Sequence, residues 1–355
     1  MNLKDAKAQL DKVINKGRVH LYKPFQIAEI LRRHRTGELK DLSDLESYKN
    51  VSRRWRDDVS NELVGRSSSS SARYQDDVFN ENACPPMALV ALGEHNKTTE
   101  GEVEVYIYRM FEAKLSSIAS ILAQLKKATP ETFELSGILG TFNSRPGLKR
   151  SIDKVFEVTV YALFSTMVRA LHLQVSLTVG NVVPGLIDEF GEFLEKVVGL
   201  KKGTTSLVIP ASLFRLGSTN AADRGLDMIA NFGPAIQVKH LTLDADAIAD
   251  ICDGLTADRI VIVCKDTEAS VVDAVIKQLG LADRLQGLVT FSDLQNWYRI
   301  CLGPAHRKTL GVSLLADFIR EFSNEFPSLE GLPGFLKKRH YEFFSLSKGW
   351  AVTGD

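Results

Sequence analysis

The stretch Leu226-Asp227-Met228-Ile229-Ala230-Asn231-Phe232-Gly233-Pro234-Ala235-Ile236-Gln237-Val238-Lys239-His240 limits the fold of this chain more than any other. Two short apolar runs flank Asn-Phe-Gly-Pro, a strong turn signal, so the spacing predicts a β-hairpin. In its second strand Gln237 and Lys239 are two residues apart and share one face, while Ile236 and Val238 point the other way into a core. With the turn centred between Phe232 and Gly233, antiparallel pairing sets Asp227 opposite Val238 or Lys239. A carboxylate and an ammonium group then meet on neighbouring strands of a rigid sheet.

The surroundings of this hairpin read as alternating α and β elements. A long apolar helix at 147–173 leads to a strand at 174–179 and a helix at 186–200. Strands are expected at 206–210, 226–230, 235–241, 259–264 and 287–290, with helices at 245–255, 268–279 and 293–302. That order predicts an α/β fold, an α/β/α sandwich around a mixed sheet. Residues 1–145 read as a mainly helical N-terminal region: 3–16, 24–35 and 103–127 carry apolar residues at three- and four-residue intervals among good helix formers. The chain thus divides into 1–145, a core at 146–302 and a helical tail at 303–355. With 355 residues, 44% of them hydrophobic, there is material for one large core or two modest ones. Cys84, Cys252, Cys264 and Cys301 form no CxxC or zinc-type spacing. Nothing at the start reads as a secretory signal, and no apolar run of about eighteen residues is present to span a membrane. A cytoplasmic protein with reduced thiols is the expectation.

A hard oxygen ligand beside a cation is what phosphodiester hydrolysis needs. Magnesium prefers oxygen ligands, often only one or two carboxylates plus waters. Asp227 supplies one carboxylate, and the backbone carbonyl of Val238 is a further candidate oxygen. The metal lowers the pKa of a bound water and offsets charge in the transition state, while Lys239 holds the attacking water or neutralises the phosphate. Gln237 is a neutral oxygen donor, so another carboxylate is expected nearby. Glu157 is a candidate, because it is the only charged residue between Val155 and Val168 on an otherwise apolar helix. A buried carboxylate needs a partner. Either the metal or a cation on the same helix, such as Lys154, fills that need.

The Asp227…Gln237-Val238-Lys239 pattern resembles the PD-(D/E)XK nuclease superfamily in its Gln-x-Lys variant, and that resemblance implies a restriction-endonuclease-like core. The wider text is similar to the HaeII-type family of type II restriction endonucleases. It carries Arg18-Val19-His20-Leu21-Tyr22-Lys23-Pro24, Trp55-Arg56-Asp57, Ser151-Ile152-Asp153-Lys154-Val155 and Tyr161-Ala162-Leu163-Phe164-Ser165. Most distinctive is Asn220-Ala221-Ala222-Asp223-Arg224-Gly225-Leu226-Asp227, continuing to Ala230-Asn231-Phe232-Gly233-Pro234 and on through His240. The resemblance implies Mg2+-dependent cleavage of double-stranded DNA at a purine-GCGC-pyrimidine palindrome, with a cognate DNA methyltransferase protecting the host. A palindromic target favours a two-fold symmetric homodimer.

Net charge is zero, whereas nucleic-acid binders are more often basic. The positive residues are nonetheless grouped: Arg32, Arg33, Arg35; Arg53, Arg54, Arg56; and Lys337, Lys338, Arg339. Arg53 and Arg54 track phosphates or form a solvated helix face. Arg66 and Arg73 bracket a run of five serines (Ser67 to Ser71), which is either a solvated linker or a phosphate clamp. Arg215, Asn220 and Arg224 precede the hairpin and either reach a DNA groove, where Arg reads guanine bidentately, or occupy an ordinary surface loop. His240 faces away from Lys239, and Asp244 and Asp246 read as helix-capping residues. The competing function classes are a DNA-binding or repair protein on the same fold with lost or altered cleavage, and a nucleotide-dependent enzyme. No Gly-rich phosphate loop follows any expected strand, which disfavours the latter.

Overall fold

The computed structural model describes residues 1–68, 75–145, 147–180, 185–216, 226–239, 259–278 and 283–352. They form two compact units, and the division falls inside the helix Ile152–Ala170. The first unit contains residues 1–159 and 315–352, and the second contains 160–216 and 226–314, each within the described residues.

The first unit is helical. In Leu3–Lys16 the buried residues Ala6, Leu10, Val13 and Ile14 recur at three- and four-residue spacing, and Asn2 caps the helix by accepting from the Asp5 amide at 2.9 Å. Tyr22–Arg35, Val51–Val64, Pro86–Thr98 and Glu102–Lys127 follow, together with Val312–Glu325 and Leu332–Lys338 near the end of the chain. Polar groups as well as apolar ones tie these helices together. The Glu104 carboxylate is fully buried. It accepts from Arg35 at 2.8 and 3.0 Å, from the Asn96 amide at 2.7 Å and from the Tyr341 hydroxyl. Glu29, also buried, pairs with Arg33 at 2.9 Å and Arg339 at 3.1 Å and accepts from Tyr108 at 3.0 Å. A buried carboxylate is tolerated only with its lone pairs satisfied, so these contacts fix residues 335–341 against the N-terminal helices.

His20 shows the same economy. Its ring is buried, stacks on Tyr22 with centroids 5.6 Å apart, and meets the Arg66 guanidinium, which also donates to the Glu325 carbonyl at 2.7 Å. Burial, and after it the charge of Arg66, push the imidazole down to about 3. The ring is therefore neutral in the folded chain and serves as an acceptor.

The second unit is built on a five-stranded mixed sheet in the order β3 (Leu213–Arg215), β4 (Met228–Ala230), β5 (Ala235–Val238), β6 (Ile260–Cys264), β7 (Leu285–Thr290). β3, β4 and β5 pair antiparallel, and β5, β6 and β7 pair parallel. The parallel centre is buried on both faces, as the uninterrupted apolar run Ile260-Val261-Ile262-Val263-Cys264 requires. Helix Ala269–Gln278 covers one face through Val272 and Ile276, which pack on Ile260, Ile262 and Cys264. Helix Phe291–Leu302 starts in a capping box between Thr290 and Asp293, and its Trp297 packs on Phe164, centroids 6.2 Å apart. A separate antiparallel pair, β1 (Gln174–Thr178) and β2 (Ser206–Pro210), lies outside the five-stranded sheet. The mixed α/β fold with a helical N-terminal region is the one expected from the sequence. The helix expected at 245–255 lies outside the described residues. Among the described residues no helix is long and apolar enough to cross a membrane.

Because folded His20 stays neutral while the unfolded ring takes up a proton near 6.5, the unfolded state binds more protons between about pH 6.5 and 3, and stability falls with acidification. The expected loss is about 2 kcal/mol between pH 7 and pH 5. Urea unfolding at both pH values should show it in the wild type, with a clearly smaller loss in His20→Gln. An equal pH slope in the two proteins would remove this role from His20.

Candidate active site

The hairpin between β4 and β5 is tighter than the sequence suggested. Met228 pairs with Ile236 and Ile229 with Ala235, and the Ala230 amide donates to the Pro234 carbonyl at 3.0 Å. The loop is therefore the three residues Asn231, Phe232 and Gly233, centred on Phe232. Gly233 has φ 122°, a conformation that favours glycine at a three-residue hairpin loop. This corrects the expected register by one residue: continuing the ladder sets Asp227 opposite Gln237, not Val238 or Lys239. Asn231 locks the turn to the preceding segment. Its side chain accepts from the Ser212 amide at 2.8 Å and donates to the Pro210 carbonyl at 2.9 Å.

The Asp227 backbone makes the last main-chain bond of the β4–β5 ladder, donating to the Ile236 carbonyl at 3.3 Å. The next amide of β5 directed at β4 belongs to Val238, where no main-chain partner remains. The Asp227 carboxylate takes its place: Oδ2 accepts from the Val238 amide at 2.8 Å and from the Gln237 side-chain Nε2 at 2.8 Å. A buried amide without an acceptor is costly, so ladder end and carboxylate hold each other in place. Lys239 is anchored in turn by its amide, which donates to the Val263 carbonyl at 2.8 Å. Alternation along β5 puts Gln237 and Lys239 on one face, and antiparallel pairing puts Asp227 on that face too.

Gln237 is only 1% exposed, and among the described residues its Oε1 has no hydrogen-bond partner. With Nε2 committed to Asp227, the amide presents a neutral, unsatisfied oxygen beside a carboxylate. An unpartnered buried oxygen there is chemically compatible with a cation, and Asp227, Gln237 Oε1 and the Val238 carbonyl are the hard oxygens that could hold a magnesium-like ion. Among the described residues no group of three or more His, Cys, Asp or Glu could hold a metal. Lys239 is half-buried and makes no ion pair among the described residues. Asp227 is thus held by amide donors, and the Lys239 ammonium, which the sequence expectation sets close to this carboxylate, lies on the same face.

The other candidates lie on other elements. Glu157, 6% exposed, belongs to the first unit, where the Lys154 ammonium donates to both its oxygens at 2.6 and 2.7 Å. Arg53 contacts Asn50 and pairs with Asp76 at 3.4 Å. Arg54 beside it is exposed. Arg66 serves His20 and Glu325 as described, and Arg56 is buried against Asp57 and Gln26. Arg215 ends β3, within one strand of the hairpin. Arg73, Asn220, Arg224, His240, Asp244 and Asp246 lie outside the described residues. Sequence reasoning missed β3, which is too short for a periodic signal, and the Asn231 clamp, although asparagine in a turn is a known side-chain hydrogen-bonding residue.

A family model for the HaeII restriction endonuclease matches residues 6–341. The chain is 44% identical over 338 residues to "Type II restriction enzyme HaeII" of Haemophilus aegyptius, covering 95% of this chain and 96% of that protein. It is 43% identical over 348 residues to "Type II restriction enzyme NgoBI" of Neisseria gonorrhoeae, covering 98% and 97%. No solved structure matches it.

The dual role of Asp227 can be separated by substitution. Asp227→Asn keeps an acceptor for the Val238 amide and should cost well under 1 kcal/mol, whereas Asp227→Ala strands that amide and should cost about 1–2 kcal/mol. Chemical unfolding checks the difference. Equal stability of the two variants would show that the carboxylate does not close the ladder.

Proposed function

Because the chain belongs to the HaeII restriction endonuclease family, we propose that it is a type II restriction endonuclease hydrolysing phosphodiester bonds of double-stranded DNA at a short palindrome. The resemblance favours a target of the purine-GCGC-pyrimidine kind, a homodimer, and a cognate DNA methyltransferase that shields the host's own sites. The observation that carries the chemical reading is the Asp227–Gln237 pair, with the unpartnered Gln237 Oε1 beside the carboxylate and Lys239 on the same face.

A divalent cation, here Mg2+, would be held by Asp227, Gln237 Oε1 and the Val238 carbonyl. When bound, it supplies a water of lowered pKa and offsets negative charge at the phosphate. The remaining work falls to the chain's own groups. Gln237 Nε2 fixes the orientation of the Asp227 carboxylate, and the rigid ladder end prevents it from turning away. The Lys239 ammonium, not spent on Asp227, is available to a phosphate oxygen or to the attacking water, where its charge is worth most once bulk solvent is excluded. Arg215, Asn220 and Arg224, next to the hairpin in sequence, are proposed to contact the target, and Arg53, Arg54, Arg66 and Arg73 the flanking backbone. For Arg66 this requires release from Glu325, which makes it the weakest member of the set. Glu157 is retained as a candidate ligand on the sequence argument. Glu157→Gln, assayed for both stability and Mg2+ dependence of cleavage, distinguishes that role from its ion pair with Lys154.

Purified wild type should linearise or fragment plasmid DNA carrying the site in Mg2+ and leave it intact in EDTA. Lys239→Ala should lower the cleavage rate on the order of 10²–10³-fold or more while retaining duplex binding in Ca2+ and an unchanged unfolding midpoint. Wild-type cutting by Lys239→Ala would remove the site assignment. Binding without any cleavage by the wild type would favour the non-catalytic DNA-binding reading.

A further inference from the structure

The antiparallel ribbon of β1 and β2 stands apart from the five-stranded sheet, and neither 173–180 nor 203–212 contains a charged residue. Its pairing continues past both ends. The Ala211 amide donates to the Leu173 carbonyl at 2.9 Å, and the Val179 amide to the Thr205 carbonyl at 2.8 Å. The register sets Gln174 opposite Pro210, Ser176 opposite Val208 and Thr178 opposite Ser206. Directly opposed residues share a face, so Gln174, Ser176, Thr178, Ser206 and Val208 stand together on one side of the ribbon. All five are exposed. Among the described residues none of the four polar side chains makes a hydrogen bond. The opposite face is apolar, with Val175, Leu177, Leu207 and Ile209, and it is the face that the turns at 186–198 stand against. Val179, which continues this face, lines a groove with Leu186, Phe190 and Phe193, and a Cβ at Gly199 would lie 3.6 Å from Leu207 Cδ2. The acidic residues Asp188, Glu189, Glu192 and Glu195 belong to those turns.

The base of the ribbon is fixed to the candidate active site. Two residues separate β2 from β3, and the hairpin holds both ends of that corner. The Asn231 side chain accepts from the Ser212 amide and donates to the Pro210 carbonyl, and its own amide donates to the Ser212 carbonyl at 3.1 Å. At the end of β3 the Leu216 amide donates to the Asp227 carbonyl at 2.9 Å. Main-chain and asparagine contacts therefore connect the ribbon to the residue that carries the carboxylate.

We propose that the polar face of this ribbon enters the major groove of the duplex and reads base edges beside the bond that is cut. The assignment rests on the duplex-cleavage reading and names an element for its specificity. A two-stranded β-ribbon is one of the backbone shapes that the major groove admits. Five residues of strand span about 17 Å, the rise of about five base pairs. The chemistry of the face matches base edges better than phosphates. Glutamine pairs in bidentate fashion with adenine, Ser and Thr hydroxyls donate or accept, and the Val208 and Thr178 methyls suit the thymine methyl. Charge is absent where bases would lie and appears at the far end. There Lys201 and Lys202, both exposed, enter a turn closed by the Thr204 amide and hydroxyl on the Lys201 carbonyl at 3.0 and 2.6 Å, a place suited to the phosphate backbone.

The test uses the full-length protein in Ca2+ and duplexes that carry the site at which the wild type cuts, read from the ends of digested plasmid, or a scrambled site. Gln174→Ala and the double variant Ser176→Ala/Thr178→Val, surface changes that keep the circular dichroism spectrum, should each lower the preference for the site over the scrambled duplex by roughly tenfold or more. Binding to the scrambled duplex should stay within twofold. Lys201→Ala/Lys202→Ala should weaken both duplexes alike and lower the salt slope by about 2. Dimethyl sulfate, which reports guanine N7 in the major groove, should show protection by the wild type that Gln174→Ala loses at particular positions. Ribbon variants with an unchanged preference and footprint, in a protein that still cuts its site, would overturn the ribbon's role and leave the nuclease reading standing. A wild type that binds and cuts no duplex would sink both.

Discussion

The hydrogen bond from the Val238 amide to the Asp227 carboxylate is the contact on which the rest of the candidate site depends. β4 is three residues long, and its ladder with β5 runs out where the acidic side chain stands. One oxygen of that side chain therefore finishes a sheet, and the carboxylate is positioned by backbone geometry instead of by a flexible counter-ion. The consequences spread outward. Gln237 can donate to the same oxygen, which leaves its own Oε1 without a donor among the described residues, and Lys239 forms no ion pair among them. A glutamate at 237 could not donate to Asp227 and would place two carboxylates side by side in the absence of a cation. Glutamine makes the site stable when empty and still offers an oxygen when a cation arrives.

The first unit handles charge differently. Glu104 and Glu29 sit in its interior and are satisfied by arginines and tyrosines from distant parts of the sequence. Arg33, Arg35 and Arg339, which in the sequence look like parts of basic clusters, are consumed in these internal contacts, and Arg56 is buried against Asp57 and Gln26. A chain of zero formal charge with many arginines turned inward carries less free positive surface than its clusters imply. DNA affinity must then come from fewer, better-placed groups, of which Arg54 is an exposed one.

Much of the fold was legible because it depends on local signals. The amphipathic spacing of Leu3–Lys16, the apolar run at β6 and the Asn-Phe-Gly-Pro turn each specify their element within a few residues. The site was legible in composition, and Asp227, Gln237 and Lys239 do share a face. Their exact relation was not, because a three-residue loop and a longer one differ by one step of register, and only the φ of Gly233 and the Asn231 clamp decide between them. Long-range pairings such as Glu104 with Tyr341, 237 residues apart, leave no trace in local pattern. The helix expected at 186–200 is instead the short turns Leu186–Glu189, Gly191–Phe193 and Leu194–Val198, whose apolar side chains stay largely exposed, since periodicity reports an apolar face without saying what covers it.

Binding of Mn2+, as a magnesium stand-in, to the DNA-free protein tests most directly whether the paired side chains of Asp227 and Gln237 form a cation site. Titration followed by electron paramagnetic resonance should show a specific ion bound per chain in the wild type, tighter binding in Gln237→Glu, and loss of it in Gln237→Leu with the fold retained. Equal Mn2+ binding by the wild type and Gln237→Leu would contradict the assignment, whatever the protein does to DNA.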